Sequence, residues 1–173
     1  MSLGLSNVPM TRKEYNQCVE SYADGVYRFI LKQIRDVEKA RDIVQESFAK
    51  VWQKVEEVNS EKAKAYLYTT AYRTMIDQIR KDERIQRLEP HHHSFSSVKN
   101  AYSDLKEVLD EALEKLPSVQ KSVLLLRDYE GYSYDEIGQI TGLGEAQVKV
   151  YIFRARMSLR NYISCLDTVM DEH

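Results

Sequence analysis

Apolar residues recur along most of this chain at three- and four-residue steps, the signature of helices that bury one face. From Thr11 the step is kept by Tyr15, Cys18, Val19, Tyr22, Val26, Phe29, Ile30 and Ile34, interrupted only by Gly25, so this segment reads as one bent helix or two. Thr11 and Glu14 have the spacing of a capping box, in which each side chain satisfies a backbone N–H of the other. Asp36 can cap the next helix, whose stripe is Ile43, Val44, Phe48, Val51, Trp52 and Val55. Asn59-Ser60 marks a turn, and residues 61 to about 84 form a long helix with Leu67, Ala71, Met75 and Ile79 on one side. These pieces can bury one small three- or four-helix core. Residues 88–103, LEPHHHSFSSVKNAYS, lose the period and have a linker composition. About 15 such residues reach roughly 50 Å when extended, so the flanking domains need not touch. Asp104 opens another helix, with Leu105, Val108, Leu109, Ala112, Leu113 and Leu116 as its stripe and Glu107, Asp110, Glu111 and Glu114 outside it. Sustained two-residue alternation is missing, which predicts an all-α fold: two small helical domains, 11–88 and 104–165, joined by a flexible linker at 89–103. Residues 1–10 show no period and read as a frayed terminus.

The stretch 116–162 is the most patterned. Pro117 suits a first helical position, where its missing N–H is an orphan anyway. Val119, Val123, Leu124 and Leu126 follow, and Glu130-Gly131 ends that helix. Ser133 and Glu136 form a second capping box, ahead of Ile137 and Ile140. Thr141-Gly142 breaks the chain after about two turns, Leu143 can plug the turn, and a third helix over 145–162 places Val148, Ile152, Ala155 and Leu159 inward. Gln147, Lys149, Tyr151, Arg154 and Arg156 are left outward. A short helix, a tight turn and a longer helix with basic and amide groups facing out is the geometry of a DNA-binding helix-turn-helix.

Charge refines that picture. The 173 residues carry a formal net charge of −2, which argues against a free-standing, charge-driven DNA binder. Residues 1–88 hold 16 basic against 13 acidic side chains and residues 89–173 hold 9 against 14. Within that acidic half, Lys149, Arg154, Arg156 and Arg160 face Glu145 alone over 145–160. About four phosphate contacts, each worth a salt slope of about −0.9, imply modest affinity for this module by itself. A second module or a large partner is expected. Cys18 and Cys165 are far apart without metal-ligand spacing, and neither a membrane-length apolar run nor a signal-peptide pattern occurs, so a cytoplasmic protein with reduced thiols and no membrane insertion is expected.

Two ordered motifs resemble the extracytoplasmic-function (ECF) group of sigma-70 RNA polymerase sigma factors, and together they span about 22–162. KARDIVQESFAKVWQKV is similar to that family's region 2 helix and AYLYTTAYRTMIDQIRKDER to its promoter-reading helix. LPSVQKSVLLLRDYEGYSYDEIGQITGLGEAQVKVYIFRARMSLR is similar to region 4. The resemblance implies a sigma factor that binds core RNA polymerase and promoter DNA. It puts Asp42, Gln45, Glu46, Phe48 and Trp52 on the polymerase. It puts Tyr66, Tyr68, Tyr72, Arg73, Asp77, Arg80 and Arg84 near the −10 element, where stacking on an unpaired base is worth about 1–3 kcal/mol. It puts Arg127, Lys149, Val150, Phe153 and Arg154 on the −35 element, and it implies an anti-sigma protein as a further partner. The chain departs from the family pattern at Arg41, at Arg73, at Val150-Tyr151 and at Gly144. Those departures bear on promoter sequence rather than on fold.

Other readings stay open at this level. Taken singly, Trp52 and the tyrosines fit ordinary core or rim burial, and Phe153 can seal helix packing. Asp42, Gln45 and Glu46 fit a solvated face. His91-His92-His93 are consecutive residues in a linker, which do not converge on one ion. No phosphate loop, nucleophile motif or zinc helix is present, so neither catalysis nor a cofactor is expected. The alternative function is an operator-binding helix-turn-helix regulator that does not engage polymerase.

Overall fold

The computed structural model describes residues 8–88 and 105–171. The predicted linker, with its three histidines, and residues 1–7 lie outside the described residues. Those described form helices and connecting turns, with one isolated bridge between Pro9 and Asn59, as an all-α fold requires. They form two compact units. The first contains the chain through Arg80 together with Gly138–Gly142, the second Lys81–Ile137 and the chain from Leu143 on.

In the first unit, α1 (Arg12–Ile34) runs unbroken through Gly25. Its capping box forms: the Glu14 N–H donates to Thr11 Oγ1 at 3.2 Å and the Thr11 N–H donates to Glu14 Oε2 at 2.7 Å. The Thr11 N–H, then its hydroxyl, hold the Glu14 carboxyl below the usual carboxylate range. Arg35 ends the helix in the left-handed region at φ 53°, a conformation costing an ordinary residue about 1–2 kcal/mol. The turn it makes leads into Asp36, whose Oδ1 accepts from the Lys39 N–H at 3.0 Å and caps α2 (Val37–Gln53). Asn59 caps a single 3-10 turn (Ser60–Lys62) that opens α3 (Ala63–Leu88). Val26, Phe29, Ile30, Ile43, Val51, Leu67, Ala71 and Met75 are buried, each large side chain contributing about 1.5–3 kcal/mol of transfer free energy. Ser47 is buried too and donates its hydroxyl to the Ile43 carbonyl at 2.6 Å, which removes the cost of an unsatisfied polar group. Cys18 is buried, and burial raises its thiol pKa.

The expectation of a frayed terminus through residue 10 needs correction. Met10 is buried, and its N–H donates to the Val58 carbonyl at 2.9 Å. The buried Met10 side chain and this bond fasten the chain to the turn before α3.

In the second unit, α4 (Leu105–Glu114) leads to α5 (Ser118–Leu124), which passes directly into a π-helical turn at Leu125–Tyr129. Pro117 stands one residue earlier than expected, at the N-cap. Lys121–Leu126 are buried consecutively. This contiguous run departs from the expected 3.6-residue stripe, since α5 is buried around more than one face; beyond it the turn widens, and the Glu130 N–H donates to the Leu125 carbonyl at 3.1 Å. Lys121 survives there by pairing with Glu114, and Ser122 donates to the Ser118 carbonyl at 2.9 Å. Leu105, expected inside, is 69% exposed. Of α6 (Tyr134–Thr141), Tyr134–Ile137 belong to this unit, and α7 (Glu145–Asp171) completes it. α7 continues past residue 162 because no Gly or Pro stops it. Tyr162 donates to Glu111 Oε2 at 3.0 Å and lies under Lys115 Nζ, 4.5 Å from its ring centre, so α4 is held against α7.

Candidate nucleic-acid interface

Two turns frame α6. Gly131 (φ 76°) and Gly142 (φ 79°) sit in the left-handed region that glycine enters without a Cβ penalty. The expected capping box forms between them: the Ser133 N–H donates to Glu136 Oε2 at 2.7 Å, and the Glu136 N–H to Ser133 Oγ at 3.2 Å. Ile137 and Ile140 are buried, as are Val148, Ile152 and Ala155 of α7, while Leu143 and Leu159 are half-buried.

On α7, Lys149, Val150, Phe153 and Arg154 are all exposed. Lys149 pairs with Glu145 at 2.9 Å, and that hydrogen bond raises its pKa. Arg154 is paired with no described residue. Arg127 is placed differently. Half-buried, it donates from Nη1 to the Tyr132 carbonyl at 2.8 Å and stacks 4.6 Å from the Tyr134 ring centre. Lys149 Nζ lies 5.5 Å from the centre of the same ring. Arg127 therefore braces the turn as well as adding charge. Arg156, read as part of the outward basic face, grips Asp128 through both oxygens, at 2.6 and 3.2 Å. That bond raises its pKa. Tyr134 as the shared ring was not read from the sequence, since only the fold brings residues 127, 134 and 149 together.

On α3, Tyr66, Arg73, Asp77, Arg80 and Arg84 share one face at 3.6 residues per turn, a line of roughly 27 Å. Arg73, Asp77, Arg80 and Arg84 are exposed and Tyr66 is half-buried. Tyr66, Arg73 and Asp77 line a groove of about 240 Å³ with Thr70 and Thr74, and α2 and its end supply Lys50, Gln53 and Lys54. Lys50 reaches Thr74 Oγ1 at 3.1 Å and Glu46 at 2.7 Å. Those α2 groups and Thr70 carried no signal in the sequence beyond a polar helix face. Tyr68 and Tyr72 lie off this face and are buried, which corrects their reading as base-stacking groups: to stack they would leave the core. Burial raises the Tyr72 phenol pKa.

On α2, Asp42, Gln45 and Glu46 are exposed. Trp52 is 43% exposed and tilted against Tyr15, with ring centres 4.9 Å apart. Phe48 is buried and its carbonyl accepts from Tyr15 Oη at 3.0 Å, so its ring belongs to the core rather than to the exposed face. Among the described residues no group of acids, histidines and cysteines could hold a metal.

The sigma-70 region 2 model matches residues 18–85 and the sigma-70, region 4 model matches residues 106–159. The chain is 34% identical over 146 residues to RNA polymerase sigma factor SigV of Bacillus subtilis (strain 168), covering 83% of this chain and 87% of that protein. It is 28% identical over 151 residues to ECF RNA polymerase sigma factor SigM of the same organism, covering 84% and 92%. Two solved structures share the fold. One is the sigma factor RpoE in complex with the anti-sigma factor NepR from Bartonella quintana, at TM-score 0.74 and 23% identity over 88% of this chain and 98% of that one. The other is CnrH in complex with the cytosolic domain of CnrY, at TM-score 0.68 and 20% identity over 90% of each chain.

Proposed function

The chain belongs to the ECF group of the sigma-70 family of RNA polymerase sigma factors, and from that premise we propose how its surfaces divide the work. It binds core RNA polymerase and directs it to a promoter, doing no covalent chemistry of its own. Asp42, Gln45, Glu46 and Trp52 form the polymerase face of α2. The Tyr66–Arg84 line of α3, with its groove, takes the −10 element and its melted strand. Lys149, Val150, Phe153 and Arg154 on α7 read the −35 element, with Arg127 bracing the turn beside them. The observation that carries this reading is the presence of both region matches, in order, on one chain. An operator-binding helix-turn-helix alone leaves the match over 18–85 without a purpose.

Domains at 11–88 and 104–165 are the corresponding modules, and joining them raises the effective concentration of the second grip once the first is made. The chain works in the cytoplasm; among the described residues no helix is long and apolar enough to cross a membrane. Because RpoE was solved with an anti-sigma factor, a protein of that kind is a natural regulator here too. Replacing Lys149 or Arg154 by alanine tests the division of labour. Each change should lower initiation by about 10-fold, the size of one good DNA contact, while core binding stays nearly unchanged in a pull-down. Equal loss of both activities in folded variants contradicts the assignment.

A further inference from the structure

We propose that Val150 and Phe153 read thymine in the upstream promoter element by its C5 methyl group, an inference that rests on the DNA-reading role of α7 given above. At 3.6 residues per turn, Val150, Phe153 and Met157 lie on the side of α7 opposite the buried Val148, Ile152 and Ala155. They are 44%, 66% and 38% exposed. A helix that packs one face normally turns polar groups to water on the other; three large apolar side chains spaced by single turns form a stripe that marks a binding surface.

The charge around the stripe identifies its occupant. Lys149 and Arg160 border it on one edge and Arg154 on the other, and all three are exposed. An apolar strip with cations on both edges complements a channel whose walls are anionic and whose floor holds isolated methyl groups. That describes a DNA major groove, where phosphates line the walls and the thymine methyl is the apolar feature of the base edges. Two hydrogen-bonding groups nearby are already engaged: Gln147 donates to Tyr151 Oη at 2.9 Å, and Arg156 grips Asp128. Base discrimination at the middle of the stripe therefore comes from methyl contact, with Arg154 and the flanking cations holding the helix in register.

The test uses the full chain with sigma-free core polymerase. Promoter duplexes are selected from a genomic library, and each thymine of the protected upstream element is replaced in turn by deoxyuridine, which removes one methyl and nothing else. Wild-type holoenzyme should lose about 4-fold in affinity at one or more thymines, the value of one buried methyl. Val150→Ala or Phe153→Ala holoenzyme should no longer distinguish thymine from uracil at that position. A uracil scan without effect on the wild type, or a loss kept in full by both variants, overturns the proposal and leaves the stripe to a protein partner. Failure to form holoenzyme, or to protect any upstream DNA, would instead strike the parent function and take this proposal with it.

Discussion

Tyr134 holds no charge, yet two cations lie against its ring, Arg127 at 4.6 Å and Lys149 at 5.5 Å. A cation over an aromatic face at an exposed site is worth about 0.5–1 kcal/mol, enough to bias where the Lys149 amine rests, on the face proposed for DNA. Its ion pair with Glu145 is exposed and worth little, so exchanging Glu145 for a phosphate costs little. Replacing Tyr134 with leucine should weaken promoter binding by about 2- to 5-fold, whereas phenylalanine, which keeps the ring, should not. Competition binding with holoenzyme separates the two outcomes, and equal loss in both variants would move the role from the ring to the hydroxyl. Residue types that could touch DNA were legible from the sequence. Arg127's bond to the Tyr132 carbonyl and Arg156's grip on Asp128 were not, because the first depends on how the chain turns after the π-helical segment and the second joins that segment to α7. Phe48 and Tyr72 show the converse: both match a family motif, and both face the core.

Helix starts were readable because caps are local chemistry. Thr11 with Glu14, Asp36, and Ser133 with Glu136 all form the bonds their spacing implies. What the 3.6-residue period could not foretell was the π-helical turn at Leu125–Tyr129, since one widened turn changes which side chains face inward. Nor could it foretell that Met10, in a segment without periodicity, is anchored at Val58. The reach of α7 to Asp171 escaped because the inward stripe ends near Leu159 while the backbone has no reason to stop. The two positive-φ glycines set the turns before and after α6. A Cβ at Gly131 or Gly142 would meet nothing within 4 Å, so the cost of alanine there is backbone strain alone, about 1–2 kcal/mol at each site. Chemical denaturation should show that loss for Gly142→Ala, with a smaller one for Gly142→Asn, because asparagine tolerates the left-handed region. Equal stability of wild type and Gly142→Ala would mean that the turn has relaxed to another conformation.

Across the whole molecule, a net charge of −2 and a small cluster of cations on α7 make a poor independent DNA binder. They suit the second grip proposed above for a protein held by polymerase through α2. Cations lie along Arg73, Arg80 and Arg84 of α3 and at Lys149, Arg154 and Arg160 of α7, the faces proposed for DNA, and acids at Asp42 and Glu46 of α2, the face proposed for polymerase. The order of the two modules was legible because each carries its own local pattern. The most direct measurement is run-off transcription with sigma-free core RNA polymerase on promoter fragments selected with the chain. A discrete transcript that requires the chain, with upstream protection at both elements, is the predicted result. Tight, specific binding of the chain to DNA without core, and no binding to core at all, would contradict the account.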